Sequence, residues 1–140
     1  MGINDVSNFR EINIGKISPG IVYRSSHPIY DGNQVEDVVL YAQNAKINIV
    51  LNPSDNLQSL RSKVSRCPWY DNMVRKNNVI ALEINTNFNF METKFSKKIK
   101  RCILFMLEHE PPYLIHCETG TARTGFLSIM LEAFMEAKFV

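Results

Sequence analysis

The residues best suited to chemistry stand together near the end of the chain, as His116-Cys117-Glu118-Thr119-Gly120-Thr121-Ala122-Arg123-Thr124-Gly125. Five residues separate a cysteine from an arginine, and a hydroxyl follows the arginine directly. Cysteine attacks as a thiolate, and its pKa falls when a helix N-terminus or converging backbone amides face the sulfur. Glu118, Thr119, Gly120, Thr121 and Ala122 precede an apolar helical pattern, so their amides can curl around one anion. Gly120 permits the turn and close approach that such a cradle needs. Arg123 supplies a planar fork that grips two phosphoryl oxygens at once, which lysine cannot do. Thr124 can hydrogen-bond the Cys117 sulfur and help it leave, and Gly125 lets the helix pack closely. The chemistry these residues suit is attack by sulfur on phosphorus.

Some element must deliver Cys117 to such a cradle. Residues 113–116 read as a short strand running straight into it, after the break at Pro111-Pro112. From Thr124 onward, Phe126, Leu127, Ile129, Met130, Leu131 and Phe134 read as a largely buried helix. Three further strands are predicted, over residues 21–24, 47–51 and 79–84. The second is a compact β-branched run, closed by the turn chemistry of Asn52-Pro53-Ser54-Asp55. Helices are predicted over residues 33–44, with Val35, Val38, Val39 and Ala42 on one side, and over 57–64, with a restart near Tyr70. The clearest helix spans 93–108, where Phe95, Ile99, Cys102, Ile103, Met106 and Leu107 form an apolar stripe. Residues 85–91 read as a loop. Strands alternating with helices predict an α/β fold with a central, mostly parallel sheet of about four strands, flanked by helices. Ligands bind such sheets beyond the carboxyl ends of the strands, and Cys117 falls there.

The whole chain is read as a single domain over residues 1–140, long enough to bury a core of its own. Apolar residues at 45% and charged residues at 21% are ordinary globular values. A net charge of +2 argues against binding nucleic acid by massed basic charge, while one local positive site still serves a small anion. The cysteines are Cys67, Cys102 and Cys117, an odd and irregular set that makes no disulfide framework. With no CxxC pair, a zinc site is not expected. No stretch approaches the length of a membrane-spanning helix. The first ten residues hold no signal-like apolar run, and Val6 stands where a myristoylation pattern wants Ser or Thr. The expectation is a reduced, cytoplasmic protein without membrane or nucleic-acid partners, its oligomeric state open, in a compartment where a thiol persists.

The segment from His116 to Gly125 resembles the signature of the protein tyrosine phosphatase superfamily, HCxxGxxR[ST]G, at every specified position. Asn8-Phe9-Arg10-Glu11 is similar to the NFRDLGG element of bacterial tyrosine phosphatases, and Val22-Tyr23-Arg24-Ser25-Ser26 to the YRS element that follows it there. The resemblance implies a protein tyrosine phosphatase-like fold and a two-step hydrolysis of a phosphate monoester. Cys117 takes the phosphoryl group as phosphocysteine and water then releases phosphate. Arg123 and the loop amides stabilise the trigonal-bipyramidal transition state. No metal and no cofactor are implied. Protein phosphotyrosine is the first substrate expected. The alternatives are a pseudophosphatase that holds phosphorylated ligands, or a phosphatase of inositol phosphates or another small phosphate ester.

The sequence departs from the family at the general acid. Family members place an Asp about thirty residues before the cysteine, to protonate the leaving group. Here that window holds Asn85, Asn87 and Asn89. A second pattern, HCxxGKDRTG, carries Lys and Asp inside the loop, where this chain has Thr121 and Ala122. The carboxylates left are Glu92 and Asp55. Each has a simpler role, Glu92 charging a helix's first turn and Asp55 forming a turn. Losing a general acid costs on the order of 10²- to 10⁴-fold, which favours aryl esters over alkyl ones. Glu118 argues against polyphosphorylated lipids. Family domains continue for one or two helices past the loop helix, so a chain ending at Val140 is expected to be a C-terminally shortened version of the fold, whether a truncated piece or a short natural protein.

The remaining residues have plain expectations. His116 holds the loop through backbone bonds. His27 is structural or solvated, and His109 sits at a helix C-terminus. Arg10 and Arg24 brace the structure. Cys67, Cys102, Trp69 and Tyr70 pack in the core. Lys97, Lys98, Lys100 and Arg101 form a solvated helix face.

Overall fold

The computed structural model of the chain describes residues 8–12, 19–84 and 93–117, with side chains throughout except at 93–95 and 117. In chain order the elements are β1 (Arg10–Glu11), β2 (Val22–Ser26), β3 (Ile29–Tyr30), β4 (Asn33–Gln34), α1 (Glu36–Asn44), β5 (Ile49–Asn52), α2 (Leu57–Lys63), α3 (Pro68–Arg75), β6 (Val79–Ala81), α4 (Thr93–Leu107) and β7 (Tyr113–Cys117). A single 3-10 turn, Val64–Arg66, joins α2 to α3.

One sheet runs in the order β1-β2-β7-β5-β6. Strands β2, β7, β5 and β6 are parallel, and β1 lies antiparallel at the edge. Among the described residues the sheet has five strands, where about four were expected. The four parallel strands are the four read from the sequence. The fifth, β1, is two residues long, too short to show any period. It forms because Arg10 and Glu11 pair with Arg24 and Tyr23, which joins the two segments that carry the wider resemblance. Phe9 is buried beside this pair, its ring stacked 5.4 Å from that of Tyr23.

A second difference lies at β3 and β4. The helix predicted over 33–44 begins at Glu36. Before it stands a two-stranded hairpin whose turn residues, Asp31 and Gly32, have φ of 52° and 75°. Both positive values are what a tight hairpin turn of the Asp-Gly kind demands.

The sheet is covered on both faces. Alternate side chains of a strand point to opposite faces, so Ile49, Leu51, Tyr113 and Ile115 pack with Ile99, Cys102 and Met106 of α4. Val50 and Leu114 pack the other way, with Val39, Ala42, Leu60, Tyr70 and Val74 of α1, α2 and α3. All four residues of β5 are buried, as its central place between β7 and β6 requires. Full burial of each such aliphatic side chain contributes about 1.5–3 kcal/mol. Leu107, expected on the inner stripe of α4, is 48% exposed. It is the last residue of α4, at the margin of the stripe and one position past the wholly buried Met106.

Local chemistry sets the helix ends. Asn56 caps α2 by accepting the Ser59 amide at 2.7 Å. Pro68 opens α3, at the position where its missing N–H costs nothing. Helices α1 and α3 both end on left-handed residues, Lys46 (φ 57°) and Asn77 (φ 59°). There the Ile47 amide reaches back to Ala42 O at 3.1 Å and the Asn78 amide to Met73 O at 3.0 Å. Both turns feed the chain directly into the next parallel strand.

Candidate functional site

Strand β7 lies between β2 and β5, and its last residue is Cys117, paired with Ser26 at the end of β2. On the other side, Leu51 of β5 pairs with Ile115, so the same register carries Asn52 alongside His116. The carboxyl ends of three neighbouring parallel strands therefore meet at Cys117. By strand alternation, Asn52 follows Val50 and His116 follows Leu114 onto the face covered by α1, α2 and α3. Helix α3 presents Tyr70 there, fully buried. His27, just past β2, closes the group from the third strand, its ring centroid 4.4 Å from that of His116.

These side chains form one connected polar network. Tyr70 Oη and His116 Nε2 are 2.7 Å apart. Asn52 Nδ2 donates to Tyr70 Oη at 3.0 Å and to Asp55 Oδ2 at 2.9 Å. His27 Nε2 lies 2.6 Å from the same Asp55 oxygen, and the Ile29 amide donates to His27 Nδ1 at 3.0 Å. The proton of the His27 ring is therefore on Nε2, facing the carboxylate. Lys63 Nζ donates to the other Asp55 oxygen at 2.6 Å. Asn52 Oδ1 accepts the amides of Ser54 and Asp55 at 3.0 and 3.1 Å, which makes Asn52 the side chain that shapes the turn.

The ionisation states follow from burial and partners. Burial by itself would raise the Asp55 pKa, but hydrogen bonds from His27, Lys63 and Asn52 outweigh it and hold the carboxyl well below the usual carboxylate range. Burial, with the nearby His27, pushes His116 well below the ordinary histidine value, so the ring is neutral. Burial drives the Tyr70 phenol well above its ordinary value, so its proton stays in place.

Of the residues singled out by sequence, the structure brings the backbone of Cys117 and the side chains of Asp55, His27, Tyr70 and His116 to one end of the sheet. Glu92, Glu118, Thr119, Gly120, Thr121, Ala122, Arg123 and Thr124 lie outside the described residues. Asp55, a candidate general acid, is 5% exposed and held ionised by three donors. A carboxylate in that state has no proton to give, so the structure makes it an anchor. His116 bonds the Tyr70 hydroxyl where backbone bonds were expected. His27 is buried and structural. Tyr70 and Cys102 are core residues, as is Cys67. His109 donates from Nδ1 to Phe105 O at 2.7 Å near the end of α4, and Arg10 turns back to Asn8 O at 3.3 Å. Sequence reasoning missed Asn52 and Lys63. For Asn52 a signal existed, a polar residue directly closing a wholly apolar strand. For Lys63 there was none. Among the described residues no three His, Cys, Asp or Glu side chains converge as a metal site.

These features define an α/β domain with a mostly parallel sheet between helices, protein tyrosine phosphatase-like in fold. Among solved structures it is similar to the core catalytic domain of the PP-IP phosphatase SIW14 from S. cerevisiae, in complex with citrate. The TM-score is 0.55 at 20% identity, over 93% of this chain and 68% of that one. No family model matches the sequence, and no curated protein matches it.

Proposed function

We propose that the protein is a cysteine-dependent phosphatase that hydrolyses phosphate monoesters through a phosphocysteine on Cys117. One observation carries the reading: a Cys-x5-Arg-Thr-Gly motif begins where β7 ends, at the carboxyl edge of a parallel sheet, the usual ligand position of such sheets. Cys117 is the nucleophile, and Arg123 with the amides from Glu118, Thr119, Gly120, Thr121 and Ala122 binds the phosphoryl oxygens. Thr124 supports the sulfur as it leaves. With Asp55 ionised, Glu92 is the carboxylate left to protonate a leaving group. Phosphotyrosine, an aryl ester that departs readily, is the substrate the residues favour. A thiol nucleophile suits a reducing, cytoplasmic compartment.

A second reading shares the chemistry and changes the substrate to inositol phosphates. The fold likeness to a PP-IP phosphatase favours it. Steady-state hydrolysis of an aryl phosphate tests the first step, with Cys117→Ser as control. Turnover in the wild type and none in the variant is the expected result. Equal inactivity of both, with phosphotyrosine peptide still bound through Arg123, would replace the enzyme with a binding module. Comparing kcat/KM for a phosphotyrosine peptide and an inositol phosphate then separates the two substrates.

A further inference from the structure

We infer that Tyr70, Asn52 and Asp55 are positioning residues for Cys117, acting through one oriented chain of hydrogen bonds that holds His116 with its proton on Nδ1. The inference rests on the reading of Cys117 as nucleophile.

The direction of the chain is set at Asn52. Its Oδ1 is taken by two backbone amides, those of Ser54 and Asp55. Its amide nitrogen must then face Asp55 Oδ2 and Tyr70 Oη, donating one hydrogen to each. Asp55 can only accept, and it accepts from Asn52, His27 and Lys63 together. That fixes the rotation of the Asn52 amide. Tyr70 Oη receives a hydrogen from Asn52, so its own goes to the remaining neighbour, His116 Nε2, at 2.7 Å. A neutral imidazole that accepts at Nε2 carries its hydrogen on Nδ1.

His116 is wholly buried, and its Nδ1 has no hydrogen-bond partner among the described residues. Buried donors are seldom left without an acceptor. This one is held ready within one residue of Cys117, at the point where β7 hands the chain to the motif. Were the tautomer free to change, a bare nitrogen could stand there instead, repelling the acceptor that a donor attracts. The chain reaches His116 from a charged pair, Asp55 with Lys63, whose lysine is about a third exposed. Asp55 is then a residue of the site that never touches substrate.

The test uses the full chain and three readouts: the ring-nitrogen NMR shifts of His116, the rate of iodoacetamide alkylation at Cys117 followed on its peptide, and aryl phosphate turnover. In the wild type Nδ1 should be protonated and Nε2 bare. Tyr70→Phe removes one oxygen and should mix the tautomers. Alkylation of Cys117 and kcat should each fall about tenfold, the equivalent of one hydrogen bond, with KM little changed. Unchanged alkylation and kcat in a folded Tyr70→Phe variant would overturn the inference and leave the phosphatase standing. Should that variant fail to fold, the wild type decides alone, since a proton on Nε2 overturns the proposed direction. A wild-type Cys117 no more reactive than in urea would withdraw the nucleophile, and this inference with it.

Discussion

The two faces of the sheet are built differently. On the α4 face Ile99, Cys102 and Met106 pack against Ile49, Leu51 and Ile115 in one apolar cluster. The phenol of Tyr113 on that face is spent at the end of α4, its one hydrogen shared between the Met106 and His109 carbonyls at 3.1 and 2.9 Å. On the other face the apolar packing stops at the carboxyl ends of the strands. There His27, Asn52, Asp55 and His116 are buried as polar groups around Tyr70. Apolar burial stabilises without regard to direction. Buried polar groups cost desolvation and must each be matched, but once matched they fix orientation. The molecule accepts that cost at the place where Cys117 leaves the sheet.

The comparison can be broken most severely at Asp55. Asp55→Ala strips acceptors from Lys63, His27 and Asn52 at once. Stability should fall by about 3 kcal/mol or more, as when one partner of a buried ion pair is removed. Urea denaturation measures it, and a loss under about 1 kcal/mol would mean that the network is ornamental to the fold. Met106→Ala probes the other face. A cavity beneath α4 should cost about 2–4 kcal/mol, while kcat per folded molecule stays at the wild-type value. A matching loss of kcat would show that the α4 face also orients the site.

The gentlest test is pH: the shifted groups of the α4 face, Cys102 and Tyr113, act at the alkaline end, while the network face acts at both ends, since burial also raises Tyr70 and Cys67 there. His116 has a lowered pKa in the fold. Below about pH 6.5 the unfolded chain takes up a proton that the folded chain refuses, so stability falls as pH drops. Asp55 also has a lowered pKa, so its contribution is present above the ordinary carboxylate value, about 4, and is lost as pH falls further. Cys102 is pushed up to about 12 by burial, and Tyr113 to about 12 by burial and Glu110. Their contributions are present below their ordinary values and fade as pH rises toward about 12. Urea midpoints across pH should therefore fall on both sides. Cys102→Val should lessen the alkaline loss without abolishing it, since Tyr113, Tyr70 and Cys67 remain, and should leave the acid limb in place.

The sequence by itself determined the four parallel strands, the helices between them and the position of Cys117 at a strand's end. These depend on short-range periodicity and spacing, which an apolar run such as Ile49, Val50 and Leu51, two of them β-branched, displays without help from the rest of the chain. The motif from His116 to Gly125 is local in the same sense, since ten consecutive residues carry its whole chemistry. Elsewhere local signals misled or fell silent. Asn33 looked like the start of a helix because the Asp-Gly turn before it went unread. Arg10 and Glu11 gave no strand signal until β2 lay beside them. The polar network was legible only as separate residues with separate, bland roles. Tyr70 and His116 stand 46 positions apart, and His27 and Asp55 stand 28 apart. What joins them is the order β2-β7-β5 and the seat of α3 across it. Only the tertiary structure could decide that Asp55 is an ionised anchor, because its state is set by three donors brought from β2's end, α2 and β5.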